Sequence, residues 1–392
     1  MAVVADLDAL VAEGVLTTAQ AEVMRERSRG AMLTLLVNAL LASGVLAAAG
    51  GFVFWLADPL AVAVAGMLFL GAGIAVLGRA GSLWRMFGHA AALIGAGMLI
   101  GGGVLKALET LDEGTASFLF LGVGTVLAGV SGLALRRGLH GLGFVTGFLM
   151  LAGIALHLGG AYGLALVQEL AGLPRMALHL YAALLVAGAG WLTDVRLVTA
   201  LAIAPFAQML DTSTGYFHAA YVFYSPEPTL SIVQMGMAVA GCLWLMRNRP
   251  DRDARHAGMF AILAFVVGNL CFLVGSLWGD TVGSSFVLAS LESRFTDWEA
   301  VEAGRRTFEQ SALQIPAGVF ALVWAAALAA CAIWAAQAHQ RGLFNAAMTF
   351  GAIHAYTQMF ESFGDEPLAW VLGGLAAIPL AWGLWRLNAR FG

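Results

Sequence analysis

Residues 88–109 read GHAAALIGAGMLIGGGVLKALE. The sixteen residues between His89 and Lys106 are all small or aliphatic. Apolar and polar positions do not alternate, so this is not a strand of a lipid-facing β-barrel. As a helix rising ~1.5 Å per residue, the segment 86–107 is about 33 Å long, enough to cross a hydrocarbon layer of about 30 Å. His89 and Lys106 then stand at its two ends, where long amphipathic side chains reach the interfaces.

Much of the chain repeats this pattern. It has 392 residues, 60% of them hydrophobic, and only 11% charged. A soluble domain usually carries about 25% charged residues to cover its surface. The mean hydropathy is +0.84 and the net charge −4. These values exclude an ordinary soluble enzyme, a disordered chain and a nucleic-acid binder. The expected fold is all-α, a polytopic transmembrane bundle of about twelve helices with no strands. The segments are 31–56, 60–78, 86–107, 117–135, 142–166, 176–193, 197–217, 229–246, 257–278, 312–336, 342–362 and 367–386. Pro205 and Asp211 interrupt the seventh, and only Asp194-Val195-Arg196 joins it to the sixth.

Basic residues set the orientation. With these segments, 15 of the 20 Lys and Arg fall on one side and 5 on the other. The acidic Asp58, Glu109, Asp112, Glu113, Glu169, Glu227, Asp365 and Glu366 fall on the basic-poor side. Both termini are therefore expected in the cytoplasm, with residues 279–311 outside. Trp55, Trp84, Trp191, Trp278, Trp370 and Trp385 lie near segment ends, as an interfacial belt would. Nineteen of the basic residues are Arg, a bias of GC-rich bacterial genomes, which implies a bacterial inner membrane.

Residues 1–29 precede the bundle of residues 30–392, and an outer amphipathic loop at 279–311 interrupts that bundle. Residues 1–29 mix acids and arginines and read as a helical hairpin. Leu7, Leu10 and Val11 recur at helical spacing, Gly14 ends the first helix, and Thr17-Thr18-Ala19-Gln20 forms a capping box. This hairpin either docks a protein partner or lies on the membrane as a lead-in. In the outer loop 279–311, Leu291–Phe308 reads as an amphipathic helix, either a parked connector or a lid or partner surface. Inside the bundle, the pairs Gly97–Gly101 and Gly143–Gly147, and Gly122, Gly124, Gly129 and Gly132 on one helix, predict close helix packing.

The stretch 10–20, LVAEGVLTTAQ, together with residues 88–109, resembles bacterial polytopic membrane proteins of uncharacterised role. Their genes neighbour those of proteins with a GDYxxLP motif, which is absent here. The resemblance implies a membrane bundle and carries over no site residues. The major facilitator pattern differs. It has a long cytoplasmic loop between its halves, where this chain has three residues.

Polar residues at membrane depth need a partner or a task. His354, Thr357, Gln358 and Glu361 fall on one helical face at i, i+3, i+4 and i+7. They form either a vestibule or proton-relay stripe, with Asp211 as companion, or a packed His beside an interfacial Glu. Gln208 and Asp211, followed by Thr212, Ser213, Thr214, Tyr216 and His218, form either a broken-helix site or the start of an outer loop after Leu210. His157, His179, His218 and His354 share the outer half and are either packing histidines or candidates for a metal or haem site, for which nothing in their spacing is diagnostic. Cys242, Cys271 and Cys331 form no CxxC. No nucleophile motif and no cofactor motif occur. The expected function is transporter-like or channel-like, with an outward polar vestibule; the competing reading is a non-catalytic scaffold or sensor.

Overall fold

The computed structural model describes residues 7–56, 58–79, 84–138, 141–217, 220–294, 297–338, 340–363, 366–368, 371, 373–375, 378 and 382. They are overwhelmingly helical and form two compact units, residues 1–168 and 169–392. Eight described helices are long and apolar enough to cross a membrane, as an integral membrane protein requires. Large apolar side chains face outward: Leu68 is 67% and Leu322 76% exposed, whereas nearly half of the buried described positions are Ala or Gly. Bulky side chains turned away from the packed interior suit a lipid surround, where helices associate through small residues.

The first unit opens with α1 (Leu7–Ala12), which ends at Gly14 with φ of 74°. The capping box forms: Thr17 N–H donates to Gln20 Oε1 at 3.0 Å and Gln20 N–H to Thr17 Oγ1 at 3.3 Å. It starts α2 (Thr18–Leu56), one unbroken helix that contains the expected first span. Residue 29 thus lies inside a helix. α3 (Pro59–Arg79) pairs with α4 (Arg85–Thr110), and α5 (Glu113–Arg136) with α6 (Gly143–Val167). Asp112 caps α5 by accepting from Thr115 N–H at 2.9 Å; hydrogen bonds from the Thr115 side chain, then from its N–H, hold the Asp112 carboxyl below the usual range. Leu77, Ala92 and Val145 form a core shared by α3, α4 and α6.

The packing glycines are not the expected GxxxG pairs. Gly97, Gly101, Gly143, Gly122 and Gly129 have open space where a side chain would stand. Gly88, Gly95 and Gly102 of α4 instead touch α3, against Leu77, Gly66 and Pro59. Seven residues turn a helix by almost two full turns, so this heptad stays on one seam, whereas a four-residue step drifts off it. Gly124 of α5 meets Gly153 and His157 of α6, and Gly160 of α6 meets Ser117 and Leu121 of α5.

The second unit begins with α7 (Gly172–Thr193). Asp194 ends it in the left-handed region at φ 56°, and α8 (Arg196–Leu201) and α9 (Ile203–Gln208) follow. Pro205 explains the break between them. Its ring clashes with the carbonyl four residues back, that of Leu201, and it donates no hydrogen bond. Arg196–Gln208 is therefore shorter than the expected seventh span. An antiparallel hairpin follows, β1 (Ser213–Phe217) with β2 (Ala220–Tyr224), in register Ser213 opposite Tyr224. This overturns the expectation of a strandless chain.

α10 (Pro228–Asn248) and α11 (Asp251–Trp278) form an antiparallel pair. The expected amphipathic loop is two helices, α12 (Ser284–Arg294) and α13 (Trp298–Ser311), closed by β3 (Asp280–Thr281) against β4 (Gln314–Ile315). Gly279, at φ 72°, is required at this closure because a Cβ there would strike the Ile315 carbonyl. α14 (Ala317–Gln337) and α15 (Arg341–Phe363) complete the described helices, with Trp324, Leu328, Ala347 and Phe350 in their shared core. The expected twelfth span, 367–386, lies mostly outside the described residues.

Candidate functional site

The second unit holds a hollow of about 580 Å³ whose lining mixes polar and apolar side chains. One wall is the first two turns of α7, where Arg175 and His179 sit four residues apart on one face. Facing it is the end of α9 with Gln208, Met209 and Asp211. Tyr224 of β2 and Ser285 and Ser290 of α12 close the rest. Arg175 Nη2 and Asp211 Oδ1 pair at 3.0 Å, with 54% and 43% of their side chains exposed. Water therefore reaches both partners.

The polypeptide behind this hollow is satisfied by buried side chains. The broken α9 leaves carbonyls without helical partners, and Gln234 Nε2 of α10 donates to the Phe206 carbonyl at 2.6 Å. Immediately after Asp211, Thr212 Oγ1 lies 2.6 Å from Ser231 Oγ and 3.2 Å from Ser225 Oγ. All three residues are buried, as is Cys271 of α11 beside them. Cys271 is seven residues before the end of α11, about 10 Å along the helix. The base of the β1–β2 hairpin thus packs beside a long apolar helix. Within a hydrocarbon layer, non-helical backbone persists only where protein or a water-filled cavity satisfies it.

A second hollow of about 480 Å³ shares Tyr224, Pro226 and Ser285 with the first. Arg305 of α13 lines it, donating to Glu302 at 2.7 Å and Glu309 at 2.8 Å. Arg305 holds the Glu302 carboxyl below its ordinary range.

The sequence-expected residues divide. Gln208 and Asp211 join His179 in the first hollow. His354 does not meet Asp211, whose basic partner is Arg175. Its ring stands edge-on to the fully buried Trp324, 4.8 Å between centroids. Gln358 turns to the interior with it, Thr357 is half-buried, and Glu361 is exposed. His157 lies in the first unit, its Nδ1 2.8 Å from Thr125 Oγ1. His218 lies outside the described residues. Among the described residues no three His, Cys, Asp or Glu gather as a metal-binding group.

Sequence reading missed a cluster joining the end of α7 to the starts of α8 and α11. Asp194 Oδ1 lies 3.0 Å from His256 Nε2, and His256 Nδ1 lies 2.7 Å from Thr199 Oγ1. Arg252 donates to the Trp191 carbonyl and stacks over the Trp191 ring, while Trp191 Nε1 donates to Asp253 at 2.8 Å. The order carboxylate, imidazole, hydroxyl is that of a nucleophilic triad. Thr199 is nevertheless buried against Gly190, so no substrate reaches its hydroxyl. The cluster is a clamp between helix ends. Comparison with family models, with curated proteins and with solved structures gives no match.

Proposed function

We propose that the chain is a transporter-like protein of a bacterial inner membrane, admitting a small polar solute through the vestibule of Arg175, His179, Gln208 and Asp211. The observation that carries this reading is the broken α8–α9 segment. Its 13 residues, Arg196–Gln208, rise only about 20 Å, short of a ~30 Å hydrocarbon layer. It ends at a hollow that carries Arg175, His179, Gln208 and Asp211, the arrangement by which interrupted helices build transport sites. The exposed Arg175–Asp211 pair contributes at most about 1 kcal/mol, so a solute bearing both charges can replace it at little cost. On this reading both termini are cytoplasmic and the vestibule opens outward.

The test uses proteoliposomes on a charge-sensing membrane, challenged in turn with amino acids, small carboxylates and amines. A current with wild type that Arg175→Ala and Asp211→Asn abolish supports the reading. A wild type indistinguishable from empty vesicles across the panel overturns it. The scaffold reading draws on one observation, the exposed Val15, Val23 and Met24 of the N-terminal hairpin. It predicts that Val15→Ser with Val23→Ser releases a co-purifying protein while the chain stays monodisperse.

A further inference from the structure

The loop between the β1–β2 hairpin and α10 meets the loop between α11 and α12 in a knot of buried oxygens. Glu227 is 1% exposed; its Oε1 accepts from Gly283 N–H at 2.7 Å and its Oε2 from Ser285 N–H at 3.2 Å. Asp280 is 8% exposed, and its Oδ2 accepts from Thr229 N–H at 2.8 Å. Glu227 and Thr229 are two residues apart, and Asp280 and Gly283 three, so both carboxylates occupy one small volume. Among the described residues neither carboxylate makes an ion pair. Three further oxygens of the same residues, Thr229 Oγ1, Asp280 Oδ1 and Ser285 Oγ, are buried without a hydrogen-bond partner.

Such a knot is unfavourable as it stands. A buried carboxylate needs an opposing charge, and a buried oxygen needs a donor or a cation. Two carboxylates without basic partners ask for two positive charges. Hydroxyl and carboxylate oxygens are hard ligands, which select hard cations over the softer transition metals. The orphaned atoms themselves carry no solvent-exposed surface, which favours a small ion over a bulkier organic amine. Magnesium keeps several of its waters and demands near-octahedral geometry, whereas calcium accepts about six to eight oxygens in flexible arrangement. The 480 Å³ hollow, lined by Asp280 and Ser285, provides the approach for ion and water.

We propose that Glu227, Thr229, Asp280 and Ser285 bind one calcium ion. The ion ties α10 and α11 to the start of α12, which also walls the vestibule. The test needs no transport assay and so stands apart from the transport reading. Full-length protein in detergent, stripped with chelator, is titrated with calcium chloride by calorimetry, and its melting temperature is followed. Sodium and magnesium chloride at matched ionic strength serve as comparison.

One saturable calcium site and a melting temperature raised by calcium alone are expected. Asp280→Asn and Glu227→Gln weaken binding at least tenfold, and Ser285→Ala a few-fold. Glu302→Gln, on the neighbouring α13, leaves the affinity within twofold. Should Glu227→Gln not fold, Asp280→Asn and Ser285→Ala decide. No saturable site, or equal loss in Glu302→Gln and Asp280→Asn, overturns the assignment. So does an Asp280→Asn chain that is more stable than wild type with no calcium response, since a protonated acid then fills the role of the ion.

Discussion

Arg175 Nη2 stands 3.0 Å from Asp211 Oδ1, joining the first turn of α7 to the residue where the broken helix turns into the β1–β2 hairpin. Asp211 holds φ of 57°, a left-handed conformation that Asp and Asn adopt more readily than most residues. One side chain thus serves both the turn and the charge pair. Asp211→Asn keeps the turn and removes the charge. It is expected to change stability by less than about 1 kcal/mol, as for other exposed pairs. Asp211→Val strains the backbone and costs about 1–3 kcal/mol. Thermal unfolding of the two variants side by side checks this; equal losses would show that the charge, not the turn, matters to the fold.

The clamp at the other end of α7 gives stability a pH dependence. The hydrogen bond from His256, aided by Arg252 and Arg255, holds the Asp194 carboxyl below the usual range. A carboxyl with a lowered folded pKa stabilises the protein above its unfolded pKa of about 3.9 and loses that contribution as pH falls through the folded value. The wild-type melting temperature is therefore expected to fall more steeply below about pH 4 than that of Asp194→Asn. Parallel curves between pH 6 and 3 would remove Asp194 as the source.

What could be read in advance was what depends on neighbours in sequence. The Thr17–Gln20 box and the apolar spans are local signals, and the helix break needs only Pro205. The Arg175–Asp211 pair joins residues 36 positions apart, and no periodicity announces it. His256 was hidden for a different reason. It stands among Arg252, Asp253 and Arg255, a run that reads as a solvated loop, yet α11 begins at Asp251 and turns the imidazole inward. The hairpin did leave a trace, in the β-favouring run Tyr221-Val222-Phe223-Tyr224 after Gly215, but an apolar stretch beside long spans reads first as more helix.

The glycine seams give a contrast within single helices. A side chain at Gly95 would meet the backbone of Leu70 and Gly66, and one at Gly124 the backbone of His157 and Gly153. Backbone cannot move aside as a flexible side chain can. Gly95→Val and Gly124→Val are expected to separate their helix pairs, costing about 1–3 kcal/mol or more. Gly97→Ala and Gly122→Ala add a methyl into open space and are neutral or stabilising by up to about 1 kcal/mol. Detergent-resistant folded yield, measured by size-exclusion profiles on heating, ranks the four. A loss at Gly97 matching that at Gly95 would mean that the seam is wrongly placed.

The last prediction concerns His354, the centre of the expected relay. Trp324 beside it is 1% exposed and donates its indole N–H to Asn269 Oδ1 at 2.8 Å; Asn269 in turn donates to the Phe265 carbonyl at 2.8 Å. Phe272 lies parallel to the same indole at 6.4 Å. His354 adds an aromatic edge to this stack, and its Nδ1 is buried without a hydrogen-bond partner. A nitrogen in that state contributes less than a carbon in its place, because it has left water without finding a donor or acceptor. Phe preserves the ring edge and removes the unmet nitrogen. His354→Phe is therefore expected to keep or raise the melting temperature, while Asn269→Ala, which leaves the indole N–H unmet, costs about 1–2 kcal/mol. Tryptophan emission reports the same site, since losing the hydrogen bond alters the surroundings of Trp324. A relay role predicts the opposite order for function: His354→Phe folds normally yet abolishes a pH-dependent current that Asn269→Ala retains. A His354→Phe chain with unchanged current and raised stability assigns the histidine to packing.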